Sequence, residues 1–168
     1  MALTADQIRD LLHLKPHPIE GGHFVETYRS PLFLGPDALG TVYSGQRSLA
    51  TAIFYLLTPN TFSEMHKLPG DELFHFYLGD PVEMLQLKSS GTGEVIQLGH
   101  DLASGMHLQH CVPGGDWQGS RLVPGGQYAL LGTTMSPGFD FADYVTGRRD
   151  ELCASYPDHS EMIVSLTH

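Results

Sequence analysis

Apolar and polar residues alternate with a period of two through much of this chain. The clearest case is residues 62–79. Phe62, Glu64, His66 and Leu68 alternate with Ser63, Met65 and Lys67, and Glu72, Phe74, Phe76 and Leu78 alternate with Leu73, His75 and Tyr77. A period of two marks a strand with one face turned inward. Pro69-Gly70-Asp71 between the two runs is a strong turn signal. The pattern therefore predicts two short strands that aim His66 and Glu72 at one interior.

The same reading predicts strands over residues 23–29, 49–57, 81–87, 94–98, 106–112, 117–122 and 128–135. Residues 49–57 are almost continuously apolar, as in a strand buried on both faces. Gly- and Pro-rich turns separate the others. Residues 15–22, with two prolines and paired glycines, cannot be regular structure, and residues 30–48 read as a long loop or irregular hairpin. Thr4 with Gln7 three residues on forms a capping-box pattern for a helix over about residues 4–13, which stops before Pro16. A helix is expected at 149–156, with 162–166 a last strand or tail.

About eight to ten short strands without βαβ alternation or internal repeats predict an all-β antiparallel sandwich or barrel. The expected layout is one domain, with the barrel over about residues 23–145 and a C-terminal helix and tail over about 148–168.

Composition changes the picture in three ways. The 19 glycines and 11 prolines supply the turns that many short strands need. Nine basic against nineteen acidic residues give a formal charge of −10, which argues against nucleic acid or an anionic membrane as partner. Only Cys111 and Cys153 occur, with no C-x-x-C pair, no secretory pattern and no apolar run near ~20 residues. A reduced, cytoplasmic protein is expected.

The buried polar pair supplies the candidate chemistry. Neither an imidazole nor a carboxylate is normally left inside a barrel without a partner. His66-x-Leu68-x3-Glu72-x6-Gly79 resembles the first signature of the cupins, His-x-His-x3/4-Glu-x6-Gly, with Leu68 in place of the second His. Pro113-x-Gly115-x2-Gln118 resembles the second signature, Pro-x-Gly-x2-His, with Gln118 at the His position. The stretches at residues 20–30, 71–81, 112–117 and 137–141 are similar to the cupin-5 type, a domain of unknown function.

That resemblance implies a double-stranded β-helix (jelly roll), usually dimeric, with one pocket at the barrel mouth. It also implies a likeness to the deoxysugar-nucleotide 3,5-epimerases, cupins that work without metal through a His base and a Tyr acid. On those grounds the expected ligand is a small organic molecule and the expected chemistry is epimerisation or isomerisation beside a carbonyl. His66 would act as base, with Glu72 orienting its ring and favouring its protonated form. Tyr28, Tyr55, Tyr77, Tyr128 and Tyr144 are all candidate acids. His75, Tyr77, Trp117, Gln118, Glu26 and Phe139 are the candidate ligand contacts. For His75, Tyr77 and Trp117 plain packing is the competing reading.

The alternatives are a metal-dependent oxygenase or isomerase and a non-catalytic binding barrel. A divalent metal would have to rely on His66, Glu72 and Gln118, with His75 or His110 as a further donor. Two firm ligands make a poor site. Arg29, Arg47, Lys67 and Arg121 are the only well-placed cations, a thin supply for a sugar-nucleotide diphosphate.

Overall fold

The computed structural model describes residues 3–168. Its strands, in chain order, are β1 (Lys15–Pro16), β2 (His23–Arg29), β3 (Phe33–Leu34), β4 (Arg47–Ser48), β5 (Thr51–Leu57), β6 (Ser63–Lys67) and β7 (Glu72–Gly79). They continue as β8 (Val82–Leu87), β9 (Gly93–Leu98), β10 (Gln109–Val112), β11 (Trp117–Leu122), β12 (Ala129–Met135) and β13 (Val145–Thr146). Helices α1 (Ala5–Leu11), α2 (Pro36–Leu39), α3 (Arg149–Ser155) and α4 (Ser160–Ser165) decorate them.

One antiparallel sheet runs β1-β2-β5-β12-β7-β10 and the other β13-β6-β11-β8-β9, while β3 and β4 form a small hairpin of their own. This is the jelly roll of a mainly β chain. The inward residues of both sheets meet in one core that includes Tyr55, Leu57, Phe74 and Leu131 from the first and Val82, Met84, Leu98 and Leu122 from the second. Packing of alternate residues between two sheets is what the period-two pattern requires.

The outer faces are covered differently. On the first sheet, Ile8 of α1 packs with Leu14, Leu56 and Leu130. The expected capping box is present: Thr4 Oγ1 accepts from the Gln7 amide and Gln7 Oε1 from the Thr4 amide. On the second sheet, Leu152, Tyr156, Ile163 and Leu166 cover Met65, Leu85 and Leu87.

Residues 160–165 are thus helical, where a strand or tail was expected over 162–166. Ile163 and Leu166 stand three apart, the spacing that puts both on one helix face. Residues 106–108 also depart from the expectation of a strand. Only His107 bridges, to Leu98, and regular pairing starts at Gln109.

Two glycines fix the geometry around the interior. Gly79 ends β7 at φ +99°, and a Cβ there would lie 2.2 Å from the Tyr128 carbonyl oxygen. Only glycine tolerates both conditions. At Gly114 a Cβ would lie 2.2 Å from the Pro69 carbonyl oxygen, because the 113–115 turn lies directly on the 69–71 turn. Asp71 Oδ1 accepts the Gly114 amide at 2.9 Å and the Leu68 carbonyl accepts the Gly115 amide at 2.8 Å. These contacts clamp together the two segments that carry Glu72 and Gln118. Among the described residues no helix is long and apolar enough to cross a membrane.

Candidate functional site

Glu72 opens β7 just after the 69–71 turn. Gln118 sits on β11, in register with His66 of the neighbouring β6. All three are buried and face the interior. The Gln118 side-chain nitrogen joins them, donating to Glu72 Oε2 at 2.6 Å and lying 3.3 Å from His66 Nε2. His66 Nδ1 is 2.7 Å from the Glu64 carbonyl oxygen, an acceptor only. Nδ1 therefore carries the proton, and Nε2 accepts the second Gln118 N–H. Tyr144 stacks on the imidazole at 4.7 Å and 16°, with its hydroxyl 3.4 Å from Glu64 Oε1.

Burial is the largest influence on proton binding in this row. It pulls the His66 pKa down, although Glu72, the Glu64 carbonyl and the Glu64 carboxylate all favour the protonated ring. It pushes Glu72 up, against the opposing pull of His66. Glu72 does favour the protonated ring, as expected. Desolvation of both groups outweighs their attraction, and a neutral amide stands between them. Burial raises the Tyr144 and Tyr55 hydroxyls as well.

A cavity of about 200 Å³ opens beside Glu72, between the start of β7, the ends of β2 and β12, and the 139–141 segment. That space far exceeds the ~10–15 Å³ that a single water needs. Glu20, Glu72 and Thr133 line it together with Phe24, Ile53, Leu68, Met135, Phe139 and Phe141. At its exposed rim Glu26 holds Arg29 through contacts of 2.7–3.2 Å, and Arg29 also donates to the Phe139 carbonyl oxygen at 3.2 Å.

His17 enters from the irregular segment before β2. Its Nδ1 accepts the Glu20 amide at 2.8 Å, which leaves the proton of the neutral ring on Nε2. Nε2 lies 3.9 Å from Glu20 Oε2, beyond hydrogen-bond distance. Burial lowers the His17 pKa and raises that of Glu20. Ser63 donates to Glu20 Oε1, and Phe24 and Phe141 pack around the His17 ring at 4.7 and 5.8 Å.

Of the residues singled out in the sequence, His66, Glu72 and Gln118 converge. Glu72, Glu26 and Phe139 line the cavity, while His66 stands behind and outside its lining. His75, Tyr77 and Trp117 are corrections: they lie away from the cavity. His75 and Tyr77 alternate with Glu72, Phe74 and Phe76 on β7, so they project from the outer face of the first sheet. There His75 Nδ1 accepts from Gln109, its Nε2 donates to Thr134 Oγ1, and the two rings lie parallel. Trp117 precedes Gln118 on β11 and so points out, against the α3–α4 cluster and under Lys67 at 4.6 Å.

His17, Glu20, Phe24, Thr133 and Phe141 were not singled out for the site. The signal for the first two was a His-x-x-Glu spacing inside a Pro- and Gly-rich segment. Such a segment reads as solvated loop unless its fold over a barrel mouth is known.

Metal-binding barrels of the type that the sequence resembles use three His and one Glu. Here Leu68 is buried at one of those positions and Gln118 presents a donor nitrogen at another. His66 Nδ1 is committed to the Glu64 carbonyl. Among the described residues no three His, Cys, Asp or Glu side chains come together to hold a metal. The donor set does not fit a bound ion.

Comparison with known proteins agrees with this architecture. The family model described as Cupin superfamily (DUF985) matches residues 6–146. An uncharacterized protein of Saccharomyces cerevisiae is 31% identical over 134 residues, covering 74% of this chain and 66% of the relative. The chain thus spans just under two thirds of that curated relative. Two solved structures superpose with a TM-score of 0.87 over 99% of both chains: a hypothetical protein from Leishmania major at 28% identity and a protein from Shewanella oneidensis at 31%. Oxalate decarboxylase from Bacillus subtilis superposes with a TM-score of 0.53 at 12% identity, covering 91% of this chain and 37% of that one. The last likeness is one of fold alone.

Proposed function

The chain belongs to the cupin superfamily (DUF985), and from that premise we propose that its barrel binds a small carbonyl compound and moves a proton on the carbon beside the carbonyl. One observation carries the reading. Glu72 is a carboxyl nine-tenths buried, raised in pKa by burial, tied down by the Gln118 amide and facing a largely apolar cavity. A base with those properties holds and releases a proton closer to neutrality than an exposed glutamate does.

The steps follow from the groups around the cavity. A Glu72 carboxylate oxygen takes the proton as the C–H bond breaks, and the electron pair moves onto the carbonyl oxygen. The Nε2–H of neutral His17 is the donor on hand for that oxygen, since its bond to Glu20 is not made. A lowered pKa suits this role, because a neutral imidazole can polarise a carbonyl without being drained of its proton by solvent. Reprotonation of that carbon on its opposite face gives epimerisation; protonation of the former carbonyl carbon, with loss of the neighbouring hydroxyl's proton, gives isomerisation. Gln118 positions Glu72, and His66 positions Gln118.

The test is proton NMR in deuterium oxide with neutral ketoses such as fructose, sorbose and tagatose. The protein is expected to exchange the hydrogen beside the carbonyl, and Glu72→Gln to slow that exchange by about 10²-fold or more. No exchange above the uncatalysed rate, or exchange unchanged in Glu72→Gln, removes the reading.

A further inference from the structure

The charges around the cavity do not balance. Glu20, Glu26, Glu72 and Asp140 line it, against Arg29 as the one arginine or lysine. Arg29 is spent on Glu26, and Asp140 Oδ1 is spent on the Ala142 amide at 2.9 Å. That leaves Glu20, part-buried, and Glu72, buried, with no lysine or arginine of the described residues in ion-pair contact. Their partners are neutral: Ser63 for Glu20 and Gln118 for Glu72.

A second observation points the same way. Gln118 Oε1, on the amide that holds Glu72 and outside the cavity lining, is buried and has no hydrogen-bond partner. Buried acceptors are rarely left so. The interior thus presents two carboxyls at the cavity and an unpartnered amide oxygen, against the His17 Nε2–H and the Thr133 hydroxyl as the neutral side-chain donors on its lining. Beside them stand the faces and edges of Phe24, Phe139, Phe141 and His17, with Phe139 and Phe141 packed edge to face at 5.0 Å. Carboxylates beside aromatic rings are the pairing that recognises ammonium groups.

We propose that the cavity takes a ligand bearing a protonated amine, seated by Glu20 and Glu72 against the phenylalanine wall. The inference rests on the reading above only for where the ligand binds, and it names that ligand's class: an amino ketone or amino sugar. It disfavours carboxylates, phosphates and nucleotide diphosphates, which bring further acceptors to two carboxyls. Burial raises both carboxyls, and an incoming cation favours their ionised form.

The experiment uses three probes of one shape that differ in charge: benzylamine, benzyl alcohol and benzoate. Binding to the full chain is followed by calorimetry and by NMR of the protein. The ammonium is expected to bind about tenfold more tightly than the alcohol, and benzoate not to saturate. The chain's formal charge of −10 could favour any cation at long range. The comparison is therefore repeated near 1 M salt, where the screening length falls to about 3 Å. A site-bound preference survives there and collapses toward parity in Glu20→Gln. Phe139→Leu, which spares both carboxyls, lowers it several-fold and serves if Glu20→Gln does not fold.

Absence of benzylamine binding, equal affinity for the alcohol, tighter binding of benzoate, or a preference lost in salt overturns the proposal. Failure of deuterium exchange with neutral ketoses leaves these outcomes standing, and the reverse also holds, so the two readings fall separately.

Discussion

The two ends of the barrel interior are made by the same strands and could hardly differ more. Along β7 the inward residues run Glu72, Phe74, Phe76; along β11, Gln118, Ser120, Leu122; along β12 reversed, Thr133, Leu131, Ala129. On β8, also reversed, they run Gln86, Met84, Val82, with Gln86 level with Gln118. β7, β8 and β12 pass from a polar residue to an apolar one at the next inward position, and β11 does so one position later, after Ser120. One end is a row of donors and acceptors beside a cavity; the other is a closed apolar plug. The plug holds the sheets together, so the mouth can keep desolvated carboxyls that cost stability. Stability and chemistry are separated along the barrel axis by about two residues of strand.

The sharpest test of that division is at the plug. Leu131 is fully buried on β12, between register partners Tyr55 and Phe76. Leu131→Ala is expected to cost about 2–5 kcal/mol in urea unfolding, through lost transfer energy and a residual cavity. Benzylamine binding to the folded fraction should be unchanged. A large loss of affinity with little loss of stability would show that the two ends are one unit and break the comparison.

Much of this polarity gradient was legible in the sequence because it lies in strands. Period two assigns a face without any knowledge of tertiary structure, and it brought His66 and Glu72 to one interior, while Gln118 was reached only through its place in the second signature. The turns at Pro69–Asp71 and Pro113–Gly115 were equally plain, since proline and glycine restrict the backbone locally. His17, Glu20 and Phe141 were not legible. They lie in segments whose position depends on what they cover, and no period tells a loop folded over a mouth from one facing water. His75 and Trp117 drew attention as chemically capable residues beside the signature positions, yet one step along a strand puts a side chain on the wrong side of the sheet. The net direction of the His66 shift was not legible for a different reason. Proximity of His66 and Glu72 suggested attraction, whereas depth of burial, which a sequence does not report, is the larger effect.

A smaller effect is expected from breaking the row at its centre. Gln118→Met keeps the volume and removes both N–H groups, leaving Glu72 Oε2 and His66 Nε2 without their donor. The cost should be about 1–3 kcal/mol, the penalty for orphaning buried polar groups. The His66→Gln, Gln118→Met double variant should cost less than the sum of the singles if the three residues act as a unit. Strict additivity in that cycle would dissolve the row into independent contacts.

The smallest effect separates the two ends by pH. Glu72 has a folded pKa above the ordinary glutamate value of about 4.3, with burial as the main cause. As pH rises past that value the unfolded chain gives up this proton first, so between the two pKa values the folded state binds more protons. Stability attributable to Glu72 therefore falls as pH climbs through that window and stays lower above it. Glu72→Gln removes the titration, so its stability relative to the native chain should rise with pH by about 1.4 kcal/mol per unit of pKa elevation and then level off. His66 works in the opposite sense. Its folded pKa lies below the usual value of about 6.5, so its contribution is complete above that pH and is lost as pH falls through the folded pKa. The stability change in Leu131→Ala should show neither trend. Denaturant midpoints from pH 4 to 9 for the three proteins decide the matter: a Glu72→Gln difference as flat as that of Leu131→Ala would mean that Glu72 ionises no less readily in the barrel than in the unfolded chain, and the mouth would lose the property that distinguishes it from the plug.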